Sequence, residues 1–168
     1  MSPLPGAVFI GNIANLQNTV RQNDIDEIWV IVRSYKNPIS AFDGVPVIHV
    51  PELSPSPGLF KSYLNWRNRG EWGINMFLCT YVPWFLRDML EEDARQRLSL
   101  IVKQVNQGKR ILLACYCWDE FMCHRSIIKG LLQGRGVPCG TTEESPINYD
   151  YSKYFRIYLK MWNELLNA

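Results

Sequence analysis

The sequence predicts a single α/β domain over residues 1–168, with a mostly parallel sheet of four to five strands flanked by helices and a helical insertion before a cysteine-rich strand. Three observations predict it. Short runs rich in Val and Ile recur between polar or helix-patterned segments, as in βαβ units. The runs are almost continuously apolar, as expected of parallel strands covered on both faces. The residues best suited to chemistry follow the runs, and open α/β sheets bind ligands just beyond the carboxyl ends of their strands. The arrangement is Rossmann-like.

The first two strands are Ala7 to Ile13 (AVFIGNI) and Glu27 to Ser34 (EIWVIVRS), with room for one helix between them. Val45 to Val50 (VPVIHV) makes a third, ended by Pro51, and Arg110 to Cys117 (RILLACYC) a fourth. The loop Pro51 to Gly58 holds three prolines and is stiff enough to wall a pocket. Leu59 to Arg67 reads as a helix broken at Gly70, with Leu59, Phe60, Tyr63, Leu64 and Trp66 as its apolar residues. Pro83 suits the first turn of a long helix whose inner face carries Leu86, Leu90, Ala94, Leu98, Ile101 and Val105, with Gly108 as its stop. Glu91, Glu92 and Asp93 near its start read as a solvated face. Ser126 to Gln133 is a short helix, Val137 to Gly140 an edge strand, and Tyr151 to Leu166 a closing helix.

Composition narrows the function classes. A chain of 168 residues, 47% hydrophobic and 20% charged, can bury a real core without staples. With 18 basic against 16 acidic residues, it lacks the basic excess that duplex nucleic acid usually demands. No basic segment precedes an apolar run at the N-terminus, and no stretch approaches the roughly 18 apolar residues of a membrane span. A cytoplasmic protein with neither duplex nucleic acid nor membrane as partner is expected. Five cysteines, three of them bunched, suit reduced thiols better than a secreted disulfide framework.

Four segments deliver polar groups to one rim. Asn12 follows the first strand; Arg33, Ser34 and Lys36 the second; His49 and Glu52 the third; Cys115, Cys117 and the run Cys123, His124, Arg125, Ser126 the fourth. Cys115 and Cys117, two apart on a strand, share a face. At a helix start, free backbone N–H groups attract anions, Arg125 can grip a phosphate or carboxylate with two bonds, and a thiol has its pKa lowered. Cys115, inside LLACYC, reads as core, and packing suffices for Cys79 and Cys139. Three functional side chains in succession at a strand-loop-helix junction are a costly way to fill space, so Cys123, His124 and Arg125 read as functional. His49 divides evenly between ligand contact and a satisfied buried histidine.

Two precedents fit poorly. Structural zinc sites commonly use ligand pairs two to four residues apart on separate segments, whereas here two donors share a strand and two are adjacent. Adjacent residues rarely both reach one ion, so no cofactor is expected, although the donor set admits zinc. A phosphatase-type cradle needs cysteine six residues before arginine with small residues between. Counting back six from Arg125 reaches Asp119, and the intervening EFMCH holds no glycine.

The segments IVRSYKNPIS, VIHVPELSPS and LLACYCWDEFMCHRSIIKGLL, in this order, resemble the domain of unknown function 488 family (DUF488), the YeaO-like proteins. The likeness runs from about Ala7 to Gly136. It implies a site made by Arg33, Ser40, His49, Glu52, Cys123, His124 and Arg125, with Trp72 near its wall. Members usually carry a charged residue such as glutamate two positions after the strand's cysteine, where this chain has Cys117.

The leading expectation is a binding protein whose anion pocket takes a nucleotide or ADP-ribose-like ligand and can sequester it unaltered. Arg33, Lys36 and Arg125 would hold phosphate, and Trp66, Trp72, Trp118 or Tyr81 would stack a base. The alternative is a cysteine-dependent enzyme acting on a nucleotide, nucleobase or similar small substrate. Cys123 or Cys117 would be the nucleophile and His49 or His124 the base. Positions 123 and 124 would diverge by about 100° on a helix, which favours His49 as the partner of Cys123. An adaptor role for the aromatic C-terminal helix ranks last, because its apolar spacing suits packing on the sheet.

Overall fold

Five strands form one sheet in the order β1-β5-β2-β4-β3, parallel except at the β3 edge. The computed structural model describes residues 4–168. The strands are β1 (Ala7–Asn12), β2 (Glu27–Val30), β3 (Ala41–Phe42), β4 (Val45–His49) and β5 (Arg110–Cys115). Strand β5 lies between β1 and β2, with Asn12 opposite Cys115 and Val30 opposite Ala114. β1 is buried throughout, β5 from Ile111 to Cys115 and β2 from Ile28 to Val30, which explains their unbroken apolar runs.

The helices are α1 (Leu16–Asn23), α2 (Pro57–Asn68), α3 (Ile74–Met76), α4 (Val82–Asp88), α5 (Glu92–Asn106), α6 (His124–Gly134) and α7 (Lys153–Leu166). A π-helical turn, Phe77–Tyr81, joins α3 to α4. The helix expected from Pro83 to Val105 is thus two helices. Glu91 takes an extended conformation between them, and Glu92 and Asp93 stand in the first turn of α5, where the helix dipole favours acids. Leu86, Ala94, Leu98, Ile101 and Val105 are buried as expected, whereas Leu90 at the break is half-buried.

Two further differences concern sheet edges. β3 and β4 form a hairpin through Asp43 and Gly44, both at positive φ (48° and 78°), the Asp-Gly pairing that tight hairpin turns favour. The stretch Val137 to Gly140 makes only an isolated bridge to β1, through Val8 and Cys139. None of the helices among the described residues is long and apolar enough to cross a membrane.

Candidate functional site

The pocket opens where β2 and β5 end. It encloses about 640 Å³. One wall is the face of α2 that presents Phe60, Tyr63, Leu64 and Arg67, residues spaced three and four apart. Trp72 and Tyr81 continue it: Trp72 meets Tyr63 edge-on at 4.8 Å and Tyr81 at 5.4 Å, and stacks on Trp66 at 6.2 Å. Arg33, Ser34 and Lys36 form the opposite lip, and Trp118, 78% exposed, stands at the mouth. The result is a mainly apolar chamber rich in aromatic rings, with Arg33, Lys36 and Arg67 and one carboxylate, Asp119, in its lining.

Its floor is sulfur. Cys115, Cys117, Cys123 and His124 all line it. The Cys115 and Cys123 Sγ atoms are 3.1 Å apart, and Cys123 Sγ lies 3.7 Å from His124 Nδ1. His124 Nε2 is 2.6 Å from the Ile31 carbonyl oxygen. A carbonyl only accepts, so Nε2 carries the proton and Nδ1 turns its lone pair toward the thiols. Arg125 Nη1 donates to Cys115 Sγ at 3.1 Å and to the Cys117 carbonyl at 2.5 Å. Asn12 Nδ2 donates to the same carbonyl at 3.0 Å, so two side chains pin the backbone where β5 turns into its loop.

These contacts divide the thiols. Hydrogen bonds from the Cys117 and Cys123 thiols hold Cys115 well below the ordinary thiol range against its burial, and the Arg125 guanidinium at 3.1 Å adds to them. Its bond to Cys115 pushes Cys117 up to about 12. Burial pushes Cys123 well up, and burial lowers His124, which favours the neutral ring. Burial opposes the charge on Arg125, but the neighbouring sulfurs outweigh it and hold the guanidinium protonated. The Arg125 guanidinium on Cys115 Sγ thus favours the thiolate form at Cys115 over Cys117 and Cys123. Cys115, Cys123 and His124 also bring three soft donor atoms within 4.8 Å of one another, a cluster that could hold a metal.

A family model described as the active DUF488-N3 subclade matches residues 12–136. The chain belongs to the DUF488 family. No curated protein and no solved structure matches it. The DUF488 match starts at the Asn12 clamp and ends just beyond α6, so it contains the whole pocket and leaves α7 outside.

Of the residues expected at the site of this DUF488 chain, Arg33, Ser34, Lys36, Trp72, Cys117, Trp118, Cys123 and His124 converge on the pocket. The others serve elsewhere. Asn12 is the clamp described above. Arg125 is 3% exposed and turned into the sulfur cluster, so it does not reach a ligand in the chamber but acts through the thiols. Ser126 is fully buried and donates to the Cys123 carbonyl. Ser40 is exposed and gives its carbonyl to Val47 N–H across the β3–β4 hairpin. Glu52 pairs with Arg97 at 3.6 Å.

His49 is exposed, with Nε2 2.8 Å from the Val32 carbonyl oxygen and its ring 5.7 Å from that of Tyr35, so it does not partner Cys123. His124 does. The expected divergence of adjacent helical residues does not apply, because Cys123 is the extended N-cap of α6 (φ −130°, ψ 146°) rather than part of the helix. Cys115, read from the sequence as core, is buried and also belongs to the sulfur cluster. Sequence reasoning missed Tyr63 and Arg67. Their signal was present in the spacing 60, 63, 64, 67, but a stripe facing a cavity and one facing the core look alike in a sequence.

Proposed function

We propose that this chain binds a small anionic molecule of the nucleotide or ADP-ribose class, with its flat ring in the aromatic chamber and its phosphates at the lip. The observation that carries the reading is the pairing of Tyr63, Trp72, Tyr81 and Trp118 with Arg33, Lys36 and Arg67 around one cavity of about 640 Å³. That volume lies in the range of small-molecule sites, and aromatic walls with a few cations suit a base joined to phosphate. Arg33 is braced by the Pro55 and Pro51 carbonyls, which fixes its charge before any ligand arrives. The five free cysteines suit the reducing cytosol, where such ligands abound.

Calorimetric titration with AMP, ADP and ADP-ribose tests the reading. An ion pair made by an exposed cation is worth up to about 1 kcal/mol, so Lys36→Ala and Arg67→Ala should each weaken binding by up to about fivefold. Unchanged affinity in both variants would refute the phosphate lip.

A second reading has the pocket alter its ligand. It is supported by the stabilised thiolate at Cys115 and by the word active in the matched subclade's description. In that reading the Cys115 thiolate attacks an electrophilic carbon of the ligand, the bond from that carbon to its leaving group breaks with the electron pair going to the leaving group, and water then cleaves the new carbon–sulfur bond to release the thiolate. Cys115→Ser should then abolish turnover of a bound nucleotide while sparing its binding, and retained turnover would remove Cys115 from the chemistry.

A further inference from the structure

We infer that Cys115, Cys123 and His124 form a divalent metal site of the zinc class, open toward the pocket, with Cys117 at its fourth position. The donors come from a strand end and a helix N-cap, two rigid segments, and all three are buried. Zinc binds sulfur at about 2.3 Å and nitrogen at about 2.0–2.1 Å, so tetrahedral ligands stand about 3.5–3.8 Å apart. Cys123 Sγ and His124 Nδ1 already do, at 3.7 Å. Cys115 and Cys123, at 3.1 Å, would spread by well under an ångström.

His124 has the surroundings of a metal ligand. Its Nε2–H donates to a backbone carbonyl, which leaves Nδ1 as the ligating atom and fixes the ring. Charge points the same way. The buried Arg125 guanidinium, 3.1 Å from Cys115 Sγ, calls for anionic sulfur beside it. A divalent ion adds two positive charges, so three anionic ligands balance the ion and Arg125 together. Cys115 and Cys123 supply two. The third place falls to the Cys117 thiolate, or to an anionic group of a ligand that displaces it from the pocket side. Cys117 lines the same pocket floor as the three donors.

The test uses Co²⁺ alone as the probe, on reduced chain freed of metal by a chelator, so its outcome is independent of nucleotide binding. The expected result is one Co²⁺ per chain with the strong sulfur-to-cobalt charge-transfer absorption of tetrahedral thiolate sites. Cys123→Ser and His124→Asn should lower the affinity at least tenfold, and Cys117→Ser should keep the ion but weaken the absorption. Where a variant fails to fold, X-ray absorption at the cobalt edge of the unaltered chain counts the ligands: two or three sulfurs with nitrogen support the site. A coordination shell of oxygen and nitrogen alone, or no stoichiometric uptake by the reduced chain, overturns it.

Discussion

At Cys115 a buried guanidinium, that of Arg125, stands 3.1 Å from the sulfur and favours its thiolate. The consequence for stability can be worked out for the metal-free chain. A group whose pKa is lower in the folded state binds more protons when unfolded, so stability rises with pH between the two values. Cys115 is depressed well below the ordinary 9.0, so its contribution grows up to about pH 9 and is lost as pH falls through its folded value. Cys117 behaves oppositely. Raised to about 12, it contributes below pH 9 and loses that contribution as pH climbs toward its folded value. Urea midpoints measured from pH 6 to 11 should therefore pass through a maximum near 9. Cys115→Ser should flatten the rising limb, and an unchanged rising limb would place the charge elsewhere. Little of this was legible beforehand. Inside LLACYC, nothing distinguishes a core cysteine from one whose sulfur meets an arginine ten positions later, because that meeting depends on where α6 starts.

Among the elements, α6 sets the site: its N-cap carries Cys123 and its first turn carries His124 and Arg125. It is held against the entry to α7 by very close backbone approach at Gly130, where an added Cβ would fall 2.1 Å from the Tyr151 carbonyl oxygen. Gly130→Ala should therefore cost about 1–3 kcal/mol through overpacking, read as a lower urea midpoint. Gly73, extended and with open space around its Cβ position, is the control, and Gly73→Ala should leave the midpoint in place. Equal behaviour of the two would mean that α6 can slide. Element type was readable because period and length decide it: four of the five strands and the main helical stretches follow from apolar runs. Boundaries were less so. The break at Glu91 has no Gly or Pro to announce it, and β3 is a two-residue strand whose one signal was Asp43-Gly44.

For the molecule as a whole, the order β1-β5-β2 puts the cysteine-bearing strand beside β2, so two strand ends supply both the thiol floor and the cationic lip. The sequence showed which strands end in polar residues. It did not show that α2 turns Tyr63 and Arg67 onto the same cavity, since that is decided by three-dimensional packing. The proposed pocket for a nucleotide-like anion is best tested by native mass spectrometry of the freshly purified chain against its denatured mass. A removable extra mass in the nucleotide range, or its appearance after incubation with millimolar ADP-ribose, is the predicted result. A chain that arrives bare and stays bare in millimolar AMP, ADP and ADP-ribose would contradict it.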